Sequence, residues 1–180
     1  RALTSGVATL SWTSGNVGGF PLDTAFTYND IHAVYSGNAN LNPATSPNIS
    51  LTLTKRAPTV TISITPSAQT IGGNVTFGAT VTAGAINPDG AFVQFKAGTN
   101  NIGTPVLVVG GTASLANYVT GVFPFDTAAA YTDVHADYDG TNSNVGAGSS
   151  ANDTLTLNKA PSGAIVAAIE NVNPGNRGLL

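Results

Sequence analysis

The chain repeats one of its own segments, and this repeat sets the size of its folding unit. The segment from Asp23 to Gly37, DTAFTYNDIHAVYSG, returns from Asp126 to Gly140 as DTAAAYTDVHADYDG, at an offset of 103 residues. Self-similarity at a fixed period predicts consecutive copies of one structural unit. Because the unit is about a hundred residues long, a chain of 180 residues holds one complete copy and part of a second.

Alternation of apolar and polar residues predicts the secondary structure. Runs of Val, Ile, Thr, Phe and Tyr with period 2 are typical of strands with one buried face, and Gly, Pro and Asn separate the runs. In the complete copy we predict seven strands, over 59–65, 74–82, 91–96, 104–109, 112–118, 131–138 and 152–158. The aligned N-terminal part supplies three, over 6–12, 28–35 and 49–54. Short strands at this spacing predict an all-β fold, a tandem antiparallel β-sandwich.

The repeat divides the chain into three parts. Residues 1–56 are predicted to form an incomplete sandwich domain that contains only the late strands, and residues 57–159 a complete one. Residues 160–180 are predicted to be an extended tail. Three strands leave an apolar face and a sheet edge open, which invites pairing with another chain. The tail contains an apolar stretch that could pair there as a donor strand, namely Ala164, Ile165, Val166, Ala167, Ala168 and Ile169.

Composition excludes several function classes. Only 8% of the residues are charged, 42% are hydrophobic, and the net charge is −3. With so few cations and no basic cluster, we expect neither nucleic acid nor an anionic membrane surface as a partner. We also find no apolar run long enough for a membrane span. The chain has no cysteine, which excludes disulfides, thiolate catalysis and cysteine-based zinc sites.

Three segments have a family-like pattern, namely IHAVYSGNAN from Ile31 to Asn40, LTLTK from Leu51 to Lys55, and VTFGATV from Val75 to Val81. These segments resemble the bacterial immunoglobulin-like repeats of secreted and surface proteins. The second copy departs from this pattern, because YDGTN from Tyr138 to Asn142 lacks the usual small-residue turn. The resemblance implies immunoglobulin-like sandwiches and an extracellular or cell-surface location, with a role as spacer, adhesin stalk or structural module. It implies no chemistry.

The two histidines each follow an aspartate by two residues. Asp30 precedes His32, and Asp133 precedes His135, so on a strand each pair shares a face. Such a pair could be part of a metal site or of a catalytic relay. The alternative is that both histidines point to solvent. The chain contains neither a Gly-x-Ser-x-Gly nor a His-Glu-x-x-His motif, and we expect no enzymatic activity and no cofactor.

One turn is rich in oxygen ligands. Asp137, Asp139 and Asn142 lie close together in the sequence and form a weak calcium candidate. The turn lacks EF-hand spacing and a bidentate glutamate, and the first copy has Val34, Ser36 and Ala39 at the equivalent positions. The alternative is a solvated turn, in which case the chain holds no metal.

Two further patterns have structural or covalent meanings. Tyr28 and Tyr131 both follow Asp-Thr-Ala at the same spacing, which predicts a tyrosine corner in each copy, with the hydroxyl tied to the preceding turn. Asn48, Asn74 and Asn152 begin Asn-x-Ser/Thr triplets. These triplets, and the many threonines, make covalently attached glycans a possible modification.

These observations predict assembly rather than chemistry. We expect a structural subunit of an extracellular filament or fibre whose copies bind head to tail, each tail completing the unfinished domain of the next copy. A head-to-tail contact that does not close produces such a filament. The alternative is a spacer or stalk segment of a longer tandem-repeat surface adhesin.

Overall fold

The protein is all-β in the residues that the computed structural model describes, which are 3–10 and 22–162. No helix occurs in these ranges. The strands of the first copy are β1 (Thr27–Ile31), β2 (Val34–Tyr35), β3 (Ala44–Thr45) and β4 (Ile49–Thr52). Those of the second copy are β5 (Thr59–Thr65), β6 (Ala68–Thr70), β7 (Asn74–Thr82), β8 (Phe92–Ala97), β9 (Asn100–Leu107), β10 (Thr112–Val119), β11 (Ala130–Tyr138), β12 (Gly148–Ser149) and β13 (Asp153–Asn158).

The strands of the second copy form two sheets. One sheet has three strands in the order β10-β7-β5, and the other has the order β6-β13-β11-β8-β9, with β12 paired to β11. All neighbours are antiparallel except β6 and β13, which are parallel. The chain changes sheet between β5 and β6, at Pro66. Because proline has no N–H to donate to a ladder, it marks the point where β5 stops pairing with β7.

The core lies between these two sheets. Alternate residues of the facing strands are buried, among them Val75, Phe77, Val81, Phe95, Val134, Ala136, Tyr138 and Leu155, which are all 1% exposed or less. The rings of Phe77 and Phe95 lie 5.9 Å apart across the interface, and Phe125 stacks on Phe77 at 5.8 Å. Two sheets with one shared apolar core make a β-sandwich.

The first copy forms a ribbon whose apolar side chains are largely exposed. Among its described residues, strands pair as β1 with β4 and β2 with β3, which gives a two-stranded ribbon. Of its larger apolar side chains, Phe26, Val34, Leu41 and Ile49 are more than 60% exposed. None of the residues that form the sandwich core belongs to the ribbon.

Most strand predictions are confirmed, and two are wrong. Strands 59–65 and 74–82 have the predicted bounds, whereas the strand predicted over 104–109 runs from Asn100 to Leu107. The strand predicted over 6–12 is wrong in its described part, where only a Thr4–Val7 bridge forms. Ser5 and Gly6 adopt positive φ, which makes a tight turn there. The single strand predicted over 28–35 is two strands, β1 and β2.

Candidate functional site

The ribbon of the first copy has the same local structure as one edge of the complete sandwich. The hydroxyl of Tyr28 donates to the carbonyl of Thr24 at 3.0 Å, and the hydroxyl of Tyr131 donates to the carbonyl of Thr127 at 2.9 Å. Both predicted tyrosine corners are therefore confirmed. Each ties the beginning of its strand to the turn before it.

The match continues along both strands of the ribbon. The amide of Ala33 donates to Oγ of Ser46 at 3.0 Å, and the amide of Ala136 donates to Oγ of Ser150 at 3.0 Å. The pairing of β1 with β4 shifts register after Tyr28, and the pairing of β11 with β13 shifts register after its counterpart. The ribbon therefore corresponds to β11, β12 and β13 of the complete domain, with one residue more in the second hairpin loop.

The two ribbons differ in what covers their inner face. In the complete domain Ala136 and Leu155 are 0% exposed. Their counterparts in the first copy are Ala33, which is exposed, and Leu51, which is 37% exposed. A groove of about 720 Å³ lies beside β2 and β3, with Leu3 and Ala8 on its other wall and Ala33 among its lining residues. Within the described residues the first copy thus has the shape of a sandwich edge without its opposing sheet.

One asparagine joins the two copies. Nδ2 of Asn144 donates to the carbonyl of Asp23 at 2.8 Å, and the amide of Ala25 donates to Oδ1 of Asn144 at 2.9 Å. The side chain thus satisfies one donor and one acceptor of the neighbouring turn at once, which defines an orientation as well as a contact. Asn144 lies in the loop between β11 and β12, far from Asp23 in the sequence.

The linker between the copies is also held. The amide of Arg56 donates to the carbonyl of Asn144 at 2.8 Å, and the amide of Gly146 donates to the carbonyl of Arg56 at 2.9 Å. Nζ of Lys55 donates to the carbonyl of Gly140 at 2.8 Å. A cleft of about 370 Å³ remains at this joint, and Ile86 and Thr24 are among its lining residues. Arg56 of the linker thus pairs with the Asn144 loop in a short parallel bridge, which restrains the linker.

The histidines form no site with the aspartates that precede them. Nδ1 of His32 lies 2.8 Å from the backbone carbonyl of Asp30, and Nδ1 of His135 lies 3.0 Å from that of Asp133. The carboxylate near His135 is instead Asp137, whose Oδ1 lies 3.7 Å from Nε2. The sequence alone paired His135 with the wrong carboxylate, because Asp133 offers its backbone carbonyl and Asp137 offers its side chain. His32 likewise contacts the backbone of Asp30 and not its carboxylate.

The three calcium candidates each make hydrogen bonds within the protein. Asp137 binds Nζ of Lys96 at 2.8 Å and the hydroxyl of Ser149 at 2.6 Å. Asp139 accepts from the amide and the hydroxyl of Thr141, both at 3.0 Å. Nδ2 of Asn142 donates to backbone carbonyls of the loop before β8. In residues 3–10 and 22–162, no group of three acidic, histidine or cysteine side chains could hold a metal.

The environment of Asp137 affects its protonation. Partial burial raises the pKa of this carboxyl, but hydrogen bonds from Lys96 and Ser149, together with the positive charge of Lys96, outweigh burial. The net pKa lies below the ordinary value of 3.8. Asp137 is therefore an ionised partner of a cross-strand ion pair on the outer face of the sheet, where it stabilises the pairing of β11 with β8.

Other candidates lie on the surface or outside the described residues. Asn48, Asn74 and Asn152, which begin the glycosylation triplets, are all exposed. The apolar stretch of the tail, Ala164 to Ile169, lies outside the described residues, and its part in polymerisation stays a prediction.

No helix among the described residues is long and apolar enough to cross a membrane.

Sequence reasoning missed Asn144, although a signal for it was present. The hairpin loop of the second copy contains Asn142-Ser-Asn144, and that of the first contains Asn38-Ala-Asn40. The repeated Asn-x-Asn pattern was visible, but only the folded chain shows that the second asparagine reaches the other copy.

No family model matches the chain, and no curated protein matches it either.

Proposed function

We propose that the chain is a structural segment of an extracellular or surface protein, built from immunoglobulin-like sandwiches joined end to end in a defined orientation. The observation that carries the proposal is the Asn144 joint, in which one side chain binds the turn of the preceding copy through two hydrogen bonds. Each such bond contributes about 0.5–1.5 kcal/mol net. With the bridge at Arg56, the joint favours a stiff spacer over a flexible string of domains.

The immunoglobulin-like part of the proposal is supported by strand order. The sheet β10-β7-β5 matches the E, B and A strands of such a sandwich, and β13-β11-β8-β9 matches G, F, C and C′. The tyrosine corner occurs at the start of the F strand in this fold, and Tyr131 lies at the start of β11. The sequence resemblance to bacterial immunoglobulin-like repeats agrees with this assignment and supports the extracellular location.

The orientation of the joint can be measured by spin labelling, because the chain has no cysteine of its own. Labels at Asn48→Cys and Ser114→Cys, both exposed positions, report the distance between the two copies. We expect one narrow distance distribution, and a much broader one after Asn144→Ala. Ser143→Ala, in the same loop, is the matched control and should leave the distribution narrow. A broad distribution in the parent protein, or no response to Asn144→Ala, contradicts the proposal.

A second candidate function is a filament whose subunits complete one another. The open inner face of the ribbon favours it, because the counterparts of Ala33 and Leu51 are fully buried in the complete domain. In this function the stretch Ala164 to Ile169 of one copy covers the face of the next, as a donated strand does. Removal of residues 163–180 should then abolish polymers. Polymers that persist rule out donation by this segment.

The two functions also differ in covalent continuity. A spacer or stalk segment continues into further repeats, whereas a filament subunit does not. The intact mass of the native material separates them, since a mass far above 18.0 kDa favours the stalk. The proposal assigns the chain no catalytic activity and no cofactor in either case.

A further inference from the structure

Both halves of the Asn144 joint recur on the sides of the two copies that face away from the joint. The loop of the first copy that corresponds to the Asn144 loop is exposed, and the turn of the second copy that corresponds to Asp23 and Ala25 is exposed at Asp126 and half-buried at Ala128. We propose that copies of this chain bind head to tail, with Asn40 of one copy docked on Asp126 and Ala128 of another. This inference rests on the proposed structural function and adds a partner, which is a second copy of the chain.

The loop half of this interface is assigned by hydrogen bonds. Oδ1 of Asn142 accepts from the amides of Asn144 and Val145, at 2.8 and 3.1 Å. Oδ1 of Asn38 accepts from the amides of Asn40 and Leu41, at 2.8 and 2.9 Å. The two loops thus have the same turn: Asn38, and not Ala39 as the constant offset predicts, occupies the position of Asn142, and Asn40 occupies that of Asn144. Its side chain is exposed at the end of the ribbon.

The receiving turn is assigned in the same way. Thr24 donates its hydroxyl to the carboxylate of Asp23 at 3.0 Å, and Thr127 donates its hydroxyl to that of Asp126 at 3.3 Å. Each turn leads into its tyrosine corner. The carbonyl of Asp126 and the amide of Ala128 therefore correspond to the two groups that Asn144 binds in the first copy. Asp126 is exposed and Ala128 is half-buried.

An apolar contact accompanies the polar one. Val145, beside Asn144, is 0% exposed, and it pairs in a parallel bridge with Arg56 of the linker. Its counterpart Leu41 is 61% exposed. At the other end, the amide of Leu157 donates to the carbonyl of Ala129, so the strand leading to Ala160 runs beside the receiving turn. A docked copy would therefore bring its linker residues next to Leu41.

The joint between copies is weaker than the internal one. The second linker reads Lys159-Ala-Pro161, one residue shorter than Lys55-Arg-Ala-Pro58, so Arg56 has no counterpart. No covalent linker holds the two partners together either, and the assigned contact consists of one loop and one turn. We therefore expect reversible association that depends on concentration.

Sedimentation velocity of the full chain over a wide concentration range tests the inference. We expect the average mass to rise with concentration. Asn40→Asp, which removes the donor and adds a negative charge, should weaken association about tenfold, as loss of one hydrogen bond with an exposed partner does. Asn42→Asp makes the same charge change in the same loop, and should associate like the parent protein.

Mixing two variants gives a sharper result. Ala128→Pro removes the amide of the receiving turn and leaves Asn40 intact, so it should weaken association about as much as Asn40→Asp does. Circular dichroism melting checks that it folds. An equimolar mixture of Ala128→Pro and Asn40→Asp keeps one intact pair of surfaces, and should form dimers and nothing larger, as head-to-tail binding requires.

The outcomes separate this inference from the proposed function. A parent protein that stays monomeric at every concentration overturns the inference, and so does association that Asn40→Asp leaves unchanged. Association lost only on removal of residues 163–180 also overturns it, and assigns assembly to the tail alone. A narrow spin-label distribution with no association leaves the proposed function standing, whereas a broad distribution removes its basis.

Discussion

Leucine-to-alanine substitutions at two equivalent positions test whether the first copy is an open half of a sandwich. Leu155 pairs with Tyr131 in the complete domain, and Leu51 pairs with Tyr28 in the ribbon. The two leucines occupy the same place in the repeat. Leu155 is 0% exposed, however, and Leu51 is 37% exposed. The pair therefore differs in burial and in little else.

The expected magnitudes follow from that burial. Alanine removes three carbons from leucine, and at about 0.8 kcal/mol for each buried carbon the loss at Leu155 is about 2.4 kcal/mol. The unfilled cavity raises it to about 3–4 kcal/mol. At Leu51 the partial exposure limits the loss of stability to about 1.5 kcal/mol. Because the face is open, the substitution leaves no enclosed cavity there and adds no cavity cost. Because the ribbon contributes nothing to the sandwich core, that loss falls on the ribbon alone.

Thermal unfolding by circular dichroism gives the readout for the complete domain. For a domain of about 100 residues, Leu155→Ala should lower Tm by roughly 12–30 °C, since each kcal/mol shifts it by about 4–8 °C. Leu51→Ala should leave this Tm unchanged and accelerate hydrogen exchange in β1 and β4 only. Equal shifts in Tm would refute the reasoning, because they would place Leu51 in a closed core shared with the complete domain.

Three further predictions concern Tyr131, Asp137 and Gly140, two of them with a matched control substitution. Tyr131→Phe removes the hydroxyl that binds Thr127 and should destabilise the domain by about 1 kcal/mol in urea unfolding, whereas Tyr28→Phe should not change that transition. Asp137→Asn should reduce stability at neutral pH. The difference should vanish as the pH falls through the lowered pKa, below the ordinary value of 3.8, because the folded-state carboxylate is then protonated. Gly140→Ala should prevent correct folding of its loop, since φ is +66° and a Cβ would collide with the backbone of Ala147. Gly110, at φ +59°, has open space around it, so Gly110→Ala should lower the free energy of unfolding in urea by only about 1 kcal/mol.

The long strands of the complete domain could be predicted because apolar and polar residues alternate along most of them. β7 reads NVTFGATVT, and its burial alternates with it. The short strands β3, β6 and β12 were missed, because two or three residues are too few to show a period. The turn Ser5-Gly6 was also missed, since the apolar residues around it suggest a strand.

The candidate site was less predictable than the fold. The tyrosine corners were predicted, because each depends on one side chain and a turn four residues before it. The role of Asn144 was not, because its partners Asp23 and Ala25 lie about 120 residues earlier in the chain. The cross-strand pair of Lys96 and Asp137 depends likewise on the register of β8 against β11.

The amino-acid sequence by itself determined the period and the all-β class, since repetition and alternation are properties of the chain alone. The tertiary structure decided which faces are covered and which side chains cross between copies. Burial and hydrogen bonding at long sequence separation depend on how the strands are ordered and registered. No local sequence pattern contains this information. Ala33 and Ala136 occupy equivalent positions in the repeat, yet Ala33 is exposed and Ala136 is fully buried.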